Sequence, residues 1–120
     1  MSNANGAKWI RPVKRWAIYL RDGVACAYCG AGAEDGALLS LDHLTPRELG
    51  GGNEATNLVT CCHECNSARR SLSLKAWMLV LRDRGVDATG LASRIRRQVQ
   101  RPLDLGAAKT LLAARRGARD

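Results

Sequence analysis

The 120-residue chain has no phenylalanine, and three tryptophans and two tyrosines are its only aromatics. Side chains that would fill a wide core, or stack the successive bases of a single strand, are therefore scarce. Packing falls to Leu, Val, Ile and Ala. Long apolar runs are missing too: the longest, Ala76 to Leu81, falls far short of the roughly 18 residues that span a bilayer. Met1 to Trp16 mixes Asn, Lys and Arg with single apolar residues and holds no continuous apolar stretch of the secretory kind. The expectation is a soluble, cytoplasmic protein with no membrane partner. Acidic residues are also few, eleven against nineteen Lys and Arg, for a net charge of +8.

At this length one compact domain, residues 1–120, with a modest core is expected. A core so poor in bulk calls for an added constraint, a disulfide or a bound metal. The five cysteines, Cys26, Cys29, Cys61, Cys62 and Cys65, are the candidates. An odd count at C-x-x-C spacing in a reducing compartment favours metal ligation. Charge is segregated: residues 1–25 carry +4, residues 26–72 carry −3, residues 73–85 carry +2 and residues 86–120 carry +5. An acidic cassette between basic flanks (1–25 and 73–120) suits a middle that collects cations and arms that attract a polyanion.

Val13, Trp16, Ala17 and Leu20 recur at helical spacing, predicting a helix over about 12–22 with Pro12 in its first turn and Gly23 past its end. Leu74, Trp77, Met78 and Leu81 predict another before Gly85, and Leu91, Ile95 and Val99 a further one before Pro102. A last helix is expected after the cap residue Asp104, fading around Arg115 and Arg116. Between the first two helices, Leu38 to Leu44 and Asn57 to Thr60 read as strands, and the residues after Cys62 as helix. The fold class is α+β: strand, loop, strand and short helix, enclosed by helices.

The most specific signal is the pair Cys26-Ala27-Tyr28-Cys29 and Cys62-His63-Glu64-Cys65. Each turns tightly and presents two thiolates, and four thiolates make a closed tetrahedral zinc site, structural because no position is left for substrate. Cys62 keeps the C-x-x-C spacing, whereas Cys61 reads as a small buried hydrophobe and His63 as solvent-facing.

In order along the chain, Cys-Ala-Tyr-Cys-Gly, Leu-Asp-His-Leu-Thr-Pro, Gly-Gly-Asn-Glu-Ala-Thr-Asn-Leu-Val and Cys-His-Glu-Cys-Asn resemble the zinc-ribboned branch of the HNH endonucleases over roughly residues 26–70. The resemblance implies a ββα-metal cassette in which His43 is the general base and Asn57 orients it. It further implies that Asp42 and Asn66 ligate one divalent cation, magnesium or manganese. The last triad position is Asn66 instead of histidine, a ligand acceptable to hard cations. Neighbours on a strand point to opposite faces, so Asp42 and His43 share a site only where the strand ends or bulges, which Thr45-Pro46 makes plausible.

The expected substrate is DNA, double-stranded. Arg69 and Arg70, about a helical turn past Asn66, are the preferred phosphate contacts, with Lys14, Arg15, Arg94, Arg96, Arg97 and Arg101 as further candidates. Gly50, Gly51 and Gly52 read as a flexible turn. The rival reading is a non-catalytic zinc-ribbon module that binds nucleic acid or a protein partner.

Overall fold

Pro12 opens the first helix, α1 (Pro12–Arg21), where a missing N–H costs nothing, and Asp22 and Gly23 (φ 78°) close it. The structure is a computed structural model that describes residues 9–119, with side chains to residue 117. An antiparallel hairpin follows, β1 (Leu39–His43) and β2 (Leu58–Cys62), in a regular register from Leu39 opposite Cys62 to His43 opposite Leu58. Then come α2 (His63–Arg69), α3 (Leu74–Asp83), α4 (Leu91–Gln98) and α5 (Leu105–Arg119). The caps are local: Ser73 accepts from the Ala76 N–H at 3.1 Å, and Asp104 from the Ala107 N–H at 2.9 Å. The two strands with these helices make the α+β class expected. Among the described residues no helix is long and apolar enough to cross a membrane.

The hairpin lies between two apolar clusters, and strand alternation decides which side chains enter each. Leu41 and Leu58 pack with Ile10, Ile18 and Tyr19 on the α1 side. Val59 and Cys61 pack with Tyr28 and with Trp77, Leu81, Leu91 and Ile95 from α3 and α4. Trp77 is fully buried and meets Tyr28 edge to face, ring centroids 5.5 Å apart, so one indole does much of the work a richer aromatic set would share.

A buried ion pair pins α1 to the sheet. Arg21 binds Asp22 through two hydrogen bonds and also donates to the carbonyls of Leu58 (2.6 Å) and Ala55 (2.9 Å), while Asp22 accepts from the Thr60 N–H at 2.8 Å. Each partner satisfies backbone groups as well as its opposite charge, the condition under which a buried pair holds its place.

Candidate active site and metal centre

The C-x-x-C turns bring Cys26, Cys29, Cys62 and Cys65 together, their sulfurs all within 4.8 Å of one another. Tetrahedral zinc with sulfur at about 2.3 Å needs sulfurs roughly 3.8 Å apart. Cys29 and Cys62 are already at 3.7 Å. Backbone N–H groups point at the cluster, from Tyr28 and Cys29 to Cys26 Sγ and from Cys65 to Cys62 Sγ, each at 3.4 Å. Sulfurs this crowded share protons: the Cys65 thiol donates to Cys26, holding Cys26 down at about 5 while Cys65 itself is pushed up. A divalent ion removes that conflict, so the donor set suits zinc. Cys61 lies apart, fully buried against Ser40 Oγ at 3.6 Å, and burial pushes its thiol up. His63 is exposed.

His43 ends β1 on the α1 side. Its ring is half-buried, lies 5.2 Å from that of Trp9 and shares a 2.8 Å hydrogen bond between Nε2 and Asn53 Oδ1. Asn53 is itself held, because Lys14 Nζ donates to its backbone carbonyl at 2.7 Å. The β1–β2 loop is tied by Asn57, which accepts from the Thr45 N–H (2.9 Å) and donates to the carbonyls of Gly52 (2.9 Å) and Thr45 (3.2 Å). Gly51 is fixed there by space: a Cβ would come within 1.7 Å of the Thr45 carbonyl oxygen and 2.9 Å of Asn57 Nδ2. The triglycine is thus a close backbone approach as well as a turn.

Asp42, one residue earlier, faces α2 and is 8% exposed. Its Oδ2 accepts from the Tyr28 hydroxyl at 2.5 Å and from Arg69 Nη1 at 2.6 Å. Burial and the Asp42 charge push the Tyr28 phenol well up, so it stays a donor. Ser40 shares this face, and its Oγ accepts from Asn66 Nδ2 at 3.1 Å. The Asn66 Oδ1 and the Asp42 Oδ1 make no hydrogen bond among the described residues. They are the oxygen donors of this face.

Residues 26–72 match the HNH endonuclease family. No curated protein and no solved structure gave a significant match. The HNH segment is about two-fifths of the chain, and α1, α3, α4 and α5 lie outside it.

Within the HNH segment the sequence-predicted residues fall into two groups. Asp42 and Asn66 lie on one face of the hairpin, Asn66 bonded to Ser40 and Asp42 to Tyr28 and Arg69, and His43 stands on the other with β1 regular through its last residue, so the bulge considered for this pair is absent. Asn57 does not touch the imidazole; its three bonds go to loop backbone, and Asn53 is the ring's partner. Arg69 is the clearest correction. It is fully buried, donating to Asp42, Tyr28 and the carbonyls of His43, Leu44 and Leu72, and no phosphate can reach it. Arg70 ends α2 at positive φ (53°) with its side chain exposed. Sequence reasoning missed Asn53, Trp9 and Tyr28. The signal for Asn53 was present, since it stands in the same Gly-Gly-Asn-Glu-Ala-Thr-Asn stretch as Asn57.

Proposed function

We propose that the chain is a divalent-cation-dependent endonuclease that hydrolyses phosphodiester bonds in DNA, with His43 as general base. The observation that carries this reading is the bond from His43 Nε2 to Asn53 Oδ1. An amide oxygen only accepts, so Nε2 holds the ring proton and Nδ1 offers its lone pair. Trp9 against the ring limits its rotation. A water at Nδ1 gives its proton to the imidazole as its oxygen bonds to phosphorus. The bond from phosphorus to the 3′-oxygen then breaks, and its electron pair leaves with that oxygen.

Asp42 Oδ1 and Asn66 Oδ1 are hard donors that fit magnesium or manganese, and Arg69 and Tyr28 hold the Asp42 carboxylate in place. When bound, such an ion supplies charge stabilisation at the phosphate and the leaving oxygen. Asp42 and His43 are the last two residues of β1, so a phosphate seated across the strand end meets the base from one face and the oxygen donors from the other. Asn57 keeps the loop that carries Asn53 closed. Zinc on the four cysteines has a structural task only, and Arg70 is the phosphate contact within the segment.

The test is conversion of supercoiled plasmid by zinc-loaded protein with magnesium, manganese or calcium. Metal-dependent nicking is expected with the first two. A folded, zinc-loaded protein that binds DNA and never cuts with any of the three supports a binding module instead.

A further inference from the structure

A groove of about 630 Å³ runs between the start of α1 and α5, outside the HNH segment. Arg11 and Lys14 line it from one side and Lys109 and Arg116 from the other, and among the described residues no acidic side chain lines it. Leu105 and Leu112 belong to its floor, and Leu105 is 47% exposed. Lys109 and Arg116 are seven residues apart, so they lie on one side of α5 about 10 Å from each other along its axis. None of the four cations is in an ion pair among the described residues. The groove is also joined to the base, because the Lys14 ammonium binds the backbone of Asn53, whose amide accepts from His43.

A second basic row competes for the same role. Arg94, Arg97 and Arg101 line a cavity of about 450 Å³, but they share it with Cys26, Cys29 and Asp87. Four thiolates around one zinc carry two net negative charges, and Asp87 adds another. That row meets compensating charge where it stands, and the α1–α5 groove does not. For a polyanion the difference decides the matter.

We propose that the groove between α1 and α5 carries the DNA strand beyond the scissile phosphate, with its four cations on phosphates and its leucines against the sugars. This rests on the nuclease reading for its substrate class. The experiment is fluorescence anisotropy of labelled duplex with zinc-loaded full-length protein, calcium in place of magnesium, titrated with salt. The Lys109→Glu/Arg116→Glu variant is expected to bind about tenfold more weakly and to lower the log–log salt slope by about two, one for each lost phosphate contact. Arg97→Glu/Arg101→Glu is expected to lose several-fold less. Should the charge reversal fail to fold, Lys109→Gln/Arg116→Gln is read the same way on the slope. Unchanged affinity and slope in the α5 variant, or a larger loss in the Arg97→Glu/Arg101→Glu variant, overturns the proposal. So does an acidic amphipathic peptide that occupies the groove without displacing DNA. The predicted slope change in the α5 variant together with a wild type that cuts nothing counts against the nuclease reading and leaves the groove standing. Cutting that is indifferent to the α5 charges counts the other way.

Discussion

On the α2 side of the hairpin Asp42 is 8% exposed and fastened to Tyr28 and Arg69, whereas on the α1 side His43, the next residue, is half-buried beside Trp9 and Asn53. Strand alternation alone separates the two. The first face takes a charge into the interior, which is tolerable only because a second charge and several carbonyls share the guanidinium. The second face leaves one ring nitrogen held and the other available, which a proton acceptor requires. One strand thus presents two different environments because its two sides differ in depth and in partners, with no bend in the backbone.

The largest effect is expected at the thiolate cluster, since both faces depend on the hairpin it staples. Removing zinc, or changing Cys62 to Ser, should forfeit on the order of 10 kcal/mol of folding free energy and abolish the native circular dichroism. A chelated sample that keeps its spectrum and Tm would show that the staple is dispensable. Next in size is the Asp42 side. Arg69→Ala leaves a buried carboxylate unpaired and should cost about 3–5 kcal/mol in urea unfolding, whereas Arg70→Ala, at an exposed position, should stay within about 0.5 kcal/mol. Equal losses for the two arginines would contradict the assignment of Arg69 to the interior.

The two asparagines sharpen the His43 side. Asn57→Ala removes three loop bonds and should lower stability by about 2 kcal/mol. Asn53→Ala should leave the melt nearly unchanged but cut kcat by about tenfold to a hundredfold, because the ring loses its tautomer and its aim. If Asn57→Ala slows cleavage while leaving stability intact and Asn53→Ala does neither, their roles are reversed. The smallest effect is expected at Cys61: Cys61→Ala should cost about 1 kcal/mol and leave one zinc per chain by metal analysis, because its sulfur faces Ser40 and not the cluster.

Periodic features carried the fold into the sequence. The apolar spacing around Trp16, Trp77 and Ile95 and the caps Asp104 and Gly23 set helices close to those observed, because each signal is local. C-x-x-C spacing separated Cys62 from Cys61 for the same reason. Arg69 was misplaced because a basic residue on a short helix defaults to solvent, and only the long-range approach of Asp42 and Tyr28 makes the interior the better place for it. Asn53 and Asn57 are four residues apart in one loop, and their division of labour depends on how that loop closes over Gly51. Neither the burial of the Arg21–Asp22 pair, which depends on Ala55, Leu58 and Thr60, nor the groove between α1 and α5 has a local signature, since each needs segments far apart in the chain.

In the proposed reaction His43 acts as the base through a ring held from its far side. The most direct measurement is the single-turnover nicking rate of zinc-loaded His43→Ala protein with magnesium, with and without added imidazole. A fall of at least about a hundredfold is expected, with partial recovery when imidazole is supplied. Nicking by a folded His43→Ala protein at the wild-type rate would contradict it.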